Sequence, residues 1–271
     1  MNLVDRLGRV LPLVRQASEV ALRHFGRVRA REKADRTLVT EADEEVERLL
    51  FEGLSRRFPG ETLVGEESGA SGPLTGPVWS VDPIDGTAAY LSRLPHWGVS
   101  VGLLVDGRPV LGVVDLPALG ETYWAFEGGG SWMETARWGR ERLAVRPGPD
   151  LGRESLLCVP SNVHRRYRVD FPGKVRSLGS TVCHVLLVAR GDAAGALNRV
   201  HLWDLAGCSA VLVEAGGRLA TLDGGPVNLL GLLPGRGPMP CVLAASPGHM
   251  DDLGRRIQVL PRRLAGELRE T

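Results

Sequence analysis

Val78-Trp79-Ser80-Val81-Asp82-Pro83-Ile84-Asp85-Gly86-Thr87 decides how this chain is read. Val78 to Val81 is a short apolar run of strand type, and two carboxylates stand at its end. Pro83 and Gly86 predict a tight turn that bunches Asp82 and Asp85. A second acidic pair closes the run Thr62 to Val64, within Val64-Gly65-Glu66-Glu67-Ser68-Gly69. Acidic pairs at strand ends are not needed to solubilise a surface, and clustered negative charge near a core is costly without a counter-charge. No Lys and no run of Arg lies beside either motif, so the economical counter-charge is a hard divalent cation on carboxylate and carbonyl oxygen. Magnesium or manganese fits better than zinc, because neither motif holds His or Cys. In such a turn Asp82 bridges two ions while the Ile84 carbonyl and Asp85 complete their shells. Gly86 and Thr87 then expose backbone N–H groups, and a helix starting after Thr87 presents its positive end to an anion. Metal ions beside an anion hole point to phosphoryl chemistry.

The chain around this stretch is of mixed α/β type. Upstream, Leu3, Leu7, Val10, Leu11, Val14, Ala17, Ala21, Leu22 and Phe25 recur at helical spacing and predict an amphipathic helix ending at Gly26. A second helix starts at about Thr40 with the Thr40-to-Asp43 spacing of a capping box, carries Ala42, Val46, Leu49, Leu50 and Leu54, and stops at Pro59-Gly60. Downstream, Val99 to Val105, Val110 to Val114 and Thr122 to Phe126 extend a mostly antiparallel sheet, with Asp106-Gly107 as a hairpin turn and Gly128-Gly129-Gly130 as another. The second half alternates strands (Ser155 to Val159, Lys174 to Leu178, Arg218 to Leu222, Val242 to Ala245) with helices at Ser180 to Arg190, Asp204 to Ala215 and Pro247 to Leu260. Residues 223–240, rich in Gly and Pro, form a peripheral loop. We expect a single layered domain over 1–271, with helices and antiparallel sheet to about 145 and an α/β half from about 150.

Composition removes several classes of function. Lys plus Arg number 33 against 32 Asp plus Glu, a formal net charge of +1, and the arginines are scattered, so nothing points to nucleic acid or an anionic membrane. No uninterrupted apolar run approaches the ~18 residues that cross a bilayer, and charge interrupts the first apolar stretch, so the expected location is the cytoplasm. Cys158, Cys183, Cys208 and Cys241 form no C-x-x-C, and the helical Cys183 and Cys208 read as buried and inert. The six histidines show no ligand spacing, and His184 reads as a packed or hydrogen-bonded side chain.

Taken in order, Val39-Thr40-Glu41-Ala42-Asp43, Gly65-Glu66-Glu67-Ser68, Asp82-Pro83-Ile84-Asp85-Gly86-Thr87, Trp203-Asp204-Leu205-Ala206-Gly207 and Glu214-Ala215-Gly216-Gly217 resemble the inositol monophosphatase family of metal-dependent phosphatases. The resemblance spans roughly Lys33 to Gly217. It implies an α-β-α-β-α sandwich of the type shared with fructose-1,6-bisphosphatase, two or three magnesium ions, a small phosphorylated metabolite as substrate and a homodimer. It makes Glu66, Asp82, the Ile84 carbonyl, Asp85 and Asp204 metal ligands. Asp43 and Thr87 orient the attacking water, with Glu67 close by in a catalytic role through a water contact. Gly86 and Thr87 carry the phosphate, Gly179 and Ser180 line the alcohol portion, and Glu66, Ile84, Asp85 and Asp204 also lie against substrate.

Singly, each block has an ordinary reading: Asp43 as a capping carboxylate, Asp204 as an N-cap, Glu66-Glu67 as a solvated strand end, Asp82 to Thr87 as a turn. Four such coincidences in this order are far less economical than one shared site. The chain also departs from inositol-selective relatives, which carry a ring-binding Glu seven residues before the Trp-Asp block, where this chain has Leu197 with Asn198 next. Ala88, Ala89 and Tyr90 replace the usual Thr and Asn after Thr87. Lys33-Ala34-Asp35 with Val39-Thr40-Glu41-Ala42-Asp43, and Pro117-Ala118-Leu119-Gly120-Glu121, are similar to branches hydrolysing histidinol phosphate or nucleoside bisphosphates. Inositol-1-phosphate is the default substrate; histidinol phosphate, fructose-1,6-bisphosphate, a 3′(2′),5′-bisphosphate nucleotide and a non-catalytic regulatory role of the same fold are the alternatives.

Overall fold

The computed structural model describes residues 1–32, 38–148, 150–235 and 240–261; Lys33-Ala34-Asp35 and part of the loop 223–240 lie outside the described residues. Helix α1 (Leu3–His24) is capped by Asn2, whose side chain accepts the Asp5 N–H, and it buries Val10, Leu13, Val14, Ala17, Val20 and Ala21. The two-residue strands β1 (Arg31–Glu32) and β2 (Leu38–Val39) pair antiparallel ahead of α2 (Glu41–Arg57). The expected capping box is present at α2: Thr40 Oγ1 accepts the Ala42 N–H, and Asp43 accepts the Thr40 N–H. Alongside Ala42, Val46, Leu50 and Leu54, the buried stripe of α2 includes two acids, Asp43 and Glu47.

An eight-stranded sheet follows, built from β3 (Thr62–Gly65), β4 (Gly69–Ala70), β5 (Pro77–Asp85), and, after the short helix α3 (Thr87–Leu91), β6 (Gly98–Val105), β7 (Arg108–Leu116), β8 (Glu121–Phe126), β9 (Gly130–Thr135) and β10 (Gly139–Arg142). Its order is β10-β9-β8-β7-β6-β5-β3-β4, antiparallel except for the parallel pair β3 and β5. Asp106 and Gly107, both at positive φ, make the predicted hairpin between β6 and β7. The expected tight turn at Asp82 is replaced by something different. Strand β5 continues to Asp85, and its pairing with β6 slips between Asp82 and Asp85. Proline has no N–H for the ladder, so Pro83 converts the predicted turn into a bulge inside a longer strand.

The second half supplies β11 (Leu156–Cys158), β12 (Tyr167–Val169), β13 (Lys174–Arg176), α4 (Thr181–Ala189), β14 (Gly195–Asn198), α5 (Leu202–Glu214), β15 (Arg218–Thr221), β16 (Val242–Ala245), α6 (Pro247–Arg256) and β17 (Ile257–Val259). A mixed five-stranded sheet runs β13-β11-β14-β16-β15, and β12 pairs with β17. Three details correct the sequence reading. Strand β14 sits at the centre of this sheet, although four residues bounded by Gly195 gave little periodicity to detect. Helix α6 ends at Arg256, not Leu260, because Ile257 and Val259 belong to a strand paired with β12. Helix α5 begins at Leu202, so Asp204 is its third residue and accepts the His201 N–H at 2.6 Å instead of opening the helix.

Two cores sandwich the large sheet. Trp79 and Val81 of β5 face α1 and α2, whereas Val78 joins the apolar faces of α4 and α5. A third cluster, holding Leu157, Leu197, Leu243 and Leu253, lies between the smaller sheet and α6. The result is the α-β-α-β-α stack expected. Helix α5 lies unusually close to the large sheet: a Cβ on Gly102 would stand 2.3 Å from the Ala206 carbonyl carbon, and one on Gly112 would stand 2.0 Å from Gly207 O. Glycine at these positions lets helix backbone rest on strand backbone, which carries the first turn of α5 toward the end of β5.

Candidate active site

Asp82, Asp85 and Asp204 each bring a carboxylate oxygen within 4.8 Å of the others. In a regular strand residues three apart point to opposite faces, so the bulge at Pro83 is what lets Asp82 and Asp85 share one site. Asp204 arrives from the first turn of α5, which the glycine contacts hold against β6 and β7. Gly86 ends the segment in the left-handed region at φ 88°, and a Cβ there would press on Ser180 Cβ, Gly179 O and His96 O at 3.0–3.1 Å.

The electrostatics of this cluster are those of a cation site. Asp82 is fully buried, and neither of its carboxylate oxygens finds a hydrogen-bond partner among the described residues. Burial pushes its pKa far up, and the charges of Glu66, Asp85, Asp204 and Asp43 push the same way. Asp204 is raised by burial and by Asp85, against the His201 N–H. Asp85 is pushed up to about 7 by burial, although the Ser180 hydroxyl and the Val182 N–H both donate to its Oδ2. Asp43 is raised to about 6 by burial, opposed by the Thr40 hydroxyl and N–H at 2.7 and 2.8 Å. No Lys, Arg or His among the described residues forms an ion pair with Asp82, Asp85 or Asp204. An all-oxygen donor set with an orphaned buried carboxylate fits a hard metal ion.

The sequence of the chain from residue 9 to residue 256 matches the profile of the inositol monophosphatase family. The chain belongs to the inositol monophosphatase family. It is similar to the histidinol-phosphatase of Mycobacterium tuberculosis, with 36% identity over 81% of this chain and 88% of that protein. It is similar to human inositol monophosphatase 1, with 30% identity over 83% of each chain. Its structure superimposes on the Thermotoga maritima IMPase with a TM-score of 0.79 and 25% identity, covering 98% of both chains. Membership makes the protein a phosphoric monoester hydrolase of metal-dependent type acting on small phosphorylated metabolites, and the acidic triad is a place where it can hold metal.

The remaining expected positions of this family phosphatase gather around the triad. Glu66, just past β3, lies close enough for its charge to act on Asp43, Asp82, Asp85 and Asp204. The Thr87 hydroxyl donates to Ile84 O at 3.2 Å, while Asp43 is hydrogen-bonded to Thr40. A cleft of about 290 Å³ opens beside the triad, and its lining includes Asp85, Gly86, Thr87, Gly179, Ser180 and Asp204. Leu197 is fully buried among Leu157, Tyr167 and Leu243, and its neighbour Asn198 lines the cleft. Alternation along β14 decides this, since adjacent residues of a strand face opposite ways.

Sequence reasoning overlooked Glu47. Buried on α2, it accepts the N–H of Glu67 at 2.9 Å and of Ser68 at 2.7 Å, fixing the turn that presents Glu66. A Cβ on Gly65 would lie 2.5 Å from Glu47 Oε2, so the Gly before Glu66-Glu67 makes room for this carboxylate. The available signal was an acid four residues after Asp43 on the apolar stripe of α2, where a solvated face would not place it. Glu67 itself stands half-buried beside that turn.

Proposed function

We propose that this phosphatase hydrolyses a small phosphorylated alcohol by direct attack of water, with magnesium held by Glu66, Asp82, the Ile84 carbonyl, Asp85 and Asp204. The observation that supports it most is Asp82, a carboxylate wholly withdrawn from solvent with two other carboxylates beside it and no hydrogen-bond donor on its oxygens. Two or three magnesium ions, or manganese in their place, would acidify water and offset phosphate charge when bound. The protein's own groups do the rest. Asp43, ordered by Thr40, and Thr87, whose hydroxyl hydrogen is committed to Ile84 O, leave oxygen lone pairs to hold a water for in-line attack. Glu67 assists through a neighbouring water. Backbone N–H groups of Gly86 and Thr87 receive phosphate oxygens, and Gly179 and Ser180 line the space for the alcohol.

Inositol-1-phosphate is the default substrate of this reading. Histidinol phosphate is the second reading, favoured by histidinol-phosphatases of 36% and 37% identity among the relatives. A homodimer in the cytoplasm completes the proposal; the four cysteines are free thiols, which suits a reducing compartment. Phosphate release from inositol-1-phosphate, histidinol phosphate, fructose-1,6-bisphosphate and 3′-phosphoadenosine 5′-phosphate, each with magnesium and with chelator, tests it. Magnesium-dependent turnover of one ester well above the others is the expected result. Turnover that ignores chelation would sink the assignment of the metal ligands.

A further inference from the structure

Between α1 and the turn that joins β7 to β8 a second hollow opens, of about 400 Å³, and it shares no wall residue with the cleft beside the acidic triad. Asp115 of β7 stands in its wall, 7% exposed, and the Thr122 hydroxyl donates to Asp115 Oδ1 at 2.6 Å. Asp115 forms no ion pair among the described residues. The nearby cation, Arg15, acts on it only from a distance: Arg15 Nη2 is committed to Glu134 Oε2 at 2.6 Å, and Nε reaches Thr122 Oγ1 at 3.4 Å. Burial holds the Asp115 carboxyl above its ordinary range against Thr122, Ser18 and Arg15, and the charge of Glu19 pushes the same way as burial. Ser18, 1% exposed, lines the same hollow. Its Oγ is near enough to favour the Asp115 carboxylate, yet it makes no hydrogen bond of ordinary geometry among the described residues.

A buried carboxylate without a cation and a buried hydroxyl without a hydrogen bond are separate costs, and one ligand in the hollow they face removes both. The sign of its charge follows from the wall. Arg15 and Glu134 cancel each other, which leaves Asp115 and the exposed Glu19 as uncompensated negative charge. A divalent ion does not fit, because among the described residues three acids converge closely enough for a metal only at Asp82, Asp85 and Asp204. An ammonium group needs fewer acceptors, since it offers three hydrogens and gains most from a single carboxylate. Leu22 and Pro117 add apolar surface to the same wall for a short carbon skeleton. We propose that the hollow between α1 and the β7–β8 turn is a binding site for a small organic ammonium ion, with Asp115 as its counter-charge and the Ser18 and Thr122 oxygens as further acceptors.

The test titrates the magnesium-loaded full chain at pH 8 with benzylamine and with benzyl alcohol, which has the same skeleton and no charge, by isothermal calorimetry. The expected result is saturable binding of the amine at one site, at least tenfold tighter than the alcohol and unchanged by saturating inorganic phosphate. Asp115→Asn keeps an acceptor for the Thr122 hydroxyl and removes the charge, so it should weaken the amine at least tenfold. Ser18→Ala leaves Asp115 in place and should weaken the amine threefold or more, which keeps the proposal testable if Asp115→Asn does not fold. Equal binding of amine and alcohol, amine affinity that a folded variant does not lower, displacement of the amine by phosphate, or no saturable binding up to about 10 mM each overturns the site. The phosphatase reading stands in all four cases, because the measurement uses no turnover.

Discussion

The Ser180 hydroxyl donates to Asp85 Oδ2, tying the N-cap of α4 to the last residue of β5 across 95 positions of sequence. Ser180 also accepts the Cys183 N–H, so one hydroxyl caps a helix and restrains a proposed metal ligand. Ser180→Ala should cost about 1–2 kcal/mol in stability, from the lost cap and the lost donor. Asp85 would then hold its proton to higher pH, and the magnesium concentration for half-maximal activity should rise most below pH 7. A magnesium titration of activity at pH 6.5 and pH 8 checks this; an equal shift at both would contradict it.

Asp82→Asn should separate stability from activity. Removing one charge from a buried acidic cluster relieves repulsion, so the chelated variant should melt above the chelated parent protein. Turnover should drop by three orders of magnitude or more, about 4 kcal/mol in the barrier. Calorimetry in chelator alongside phosphate release in magnesium gives both numbers, and near-normal turnover would refute the role of Asp82.

Metal-free stability should decline as pH rises from about 4 to 7. Asp85 titrates near 3.8 when unfolded and near 7 in the fold, and Asp82 and Asp204 are raised as well, so through this window the folded protein binds more protons than the unfolded chain. Their ionisation therefore opposes folding as pH increases. His184, lowered to about 4, works in the opposite direction only below about 6.5, where the unfolded chain takes up the proton. Magnesium should raise the melting temperature more at pH 8 than at pH 6, and binding near pH 6.5 should release protons. Scanning calorimetry with and without chelator, paired with binding in buffers of different ionisation enthalpy, measures both effects.

Gly112→Ala should displace α5. The new methyl would meet Gly207 O at 2.0 Å, a backbone atom that cannot step aside alone. Overpacking of this kind costs about 1–3 kcal/mol. Because Asp204 rides on the same helix, the requirement for magnesium should increase along with the loss of melting temperature, whereas a surface glycine such as Gly120, with open space around its Cβ, tests the stability term through its positive φ alone.

Glu47→Ala should loosen the turn at Glu66. Two backbone N–H groups lose a carboxylate acceptor, and the predicted signature is weakened magnesium affinity, with activity largely restored at saturating magnesium. A variant whose kcat at saturating magnesium remains a hundredfold low would point instead to a direct role for Glu47.

Local physics written into the order of residues was enough for the capping box at Thr40, the two amphipathic helices at the start, the antiparallel run after Thr62 and the acidic blocks themselves, because each depends on neighbours within a few positions. The folded chain decided what those neighbours could not. Pro83 was a turn signal until pairing with β6 made it a bulge, and Leu197 drew attention by its position until the alternation of β14 turned Asn198 to the cleft. Glu47 entered only once α2 lay beside the turn after β3, and Asp204 met Asp82 only because glycines on β6, β7 and α5 let backbones touch. Spacing along a chain specifies helix and strand through short-range hydrogen bonding and side-chain period. Which carboxylates share one small volume depends on contacts between residues a hundred or more positions apart, and the packing of whole layers fixes those.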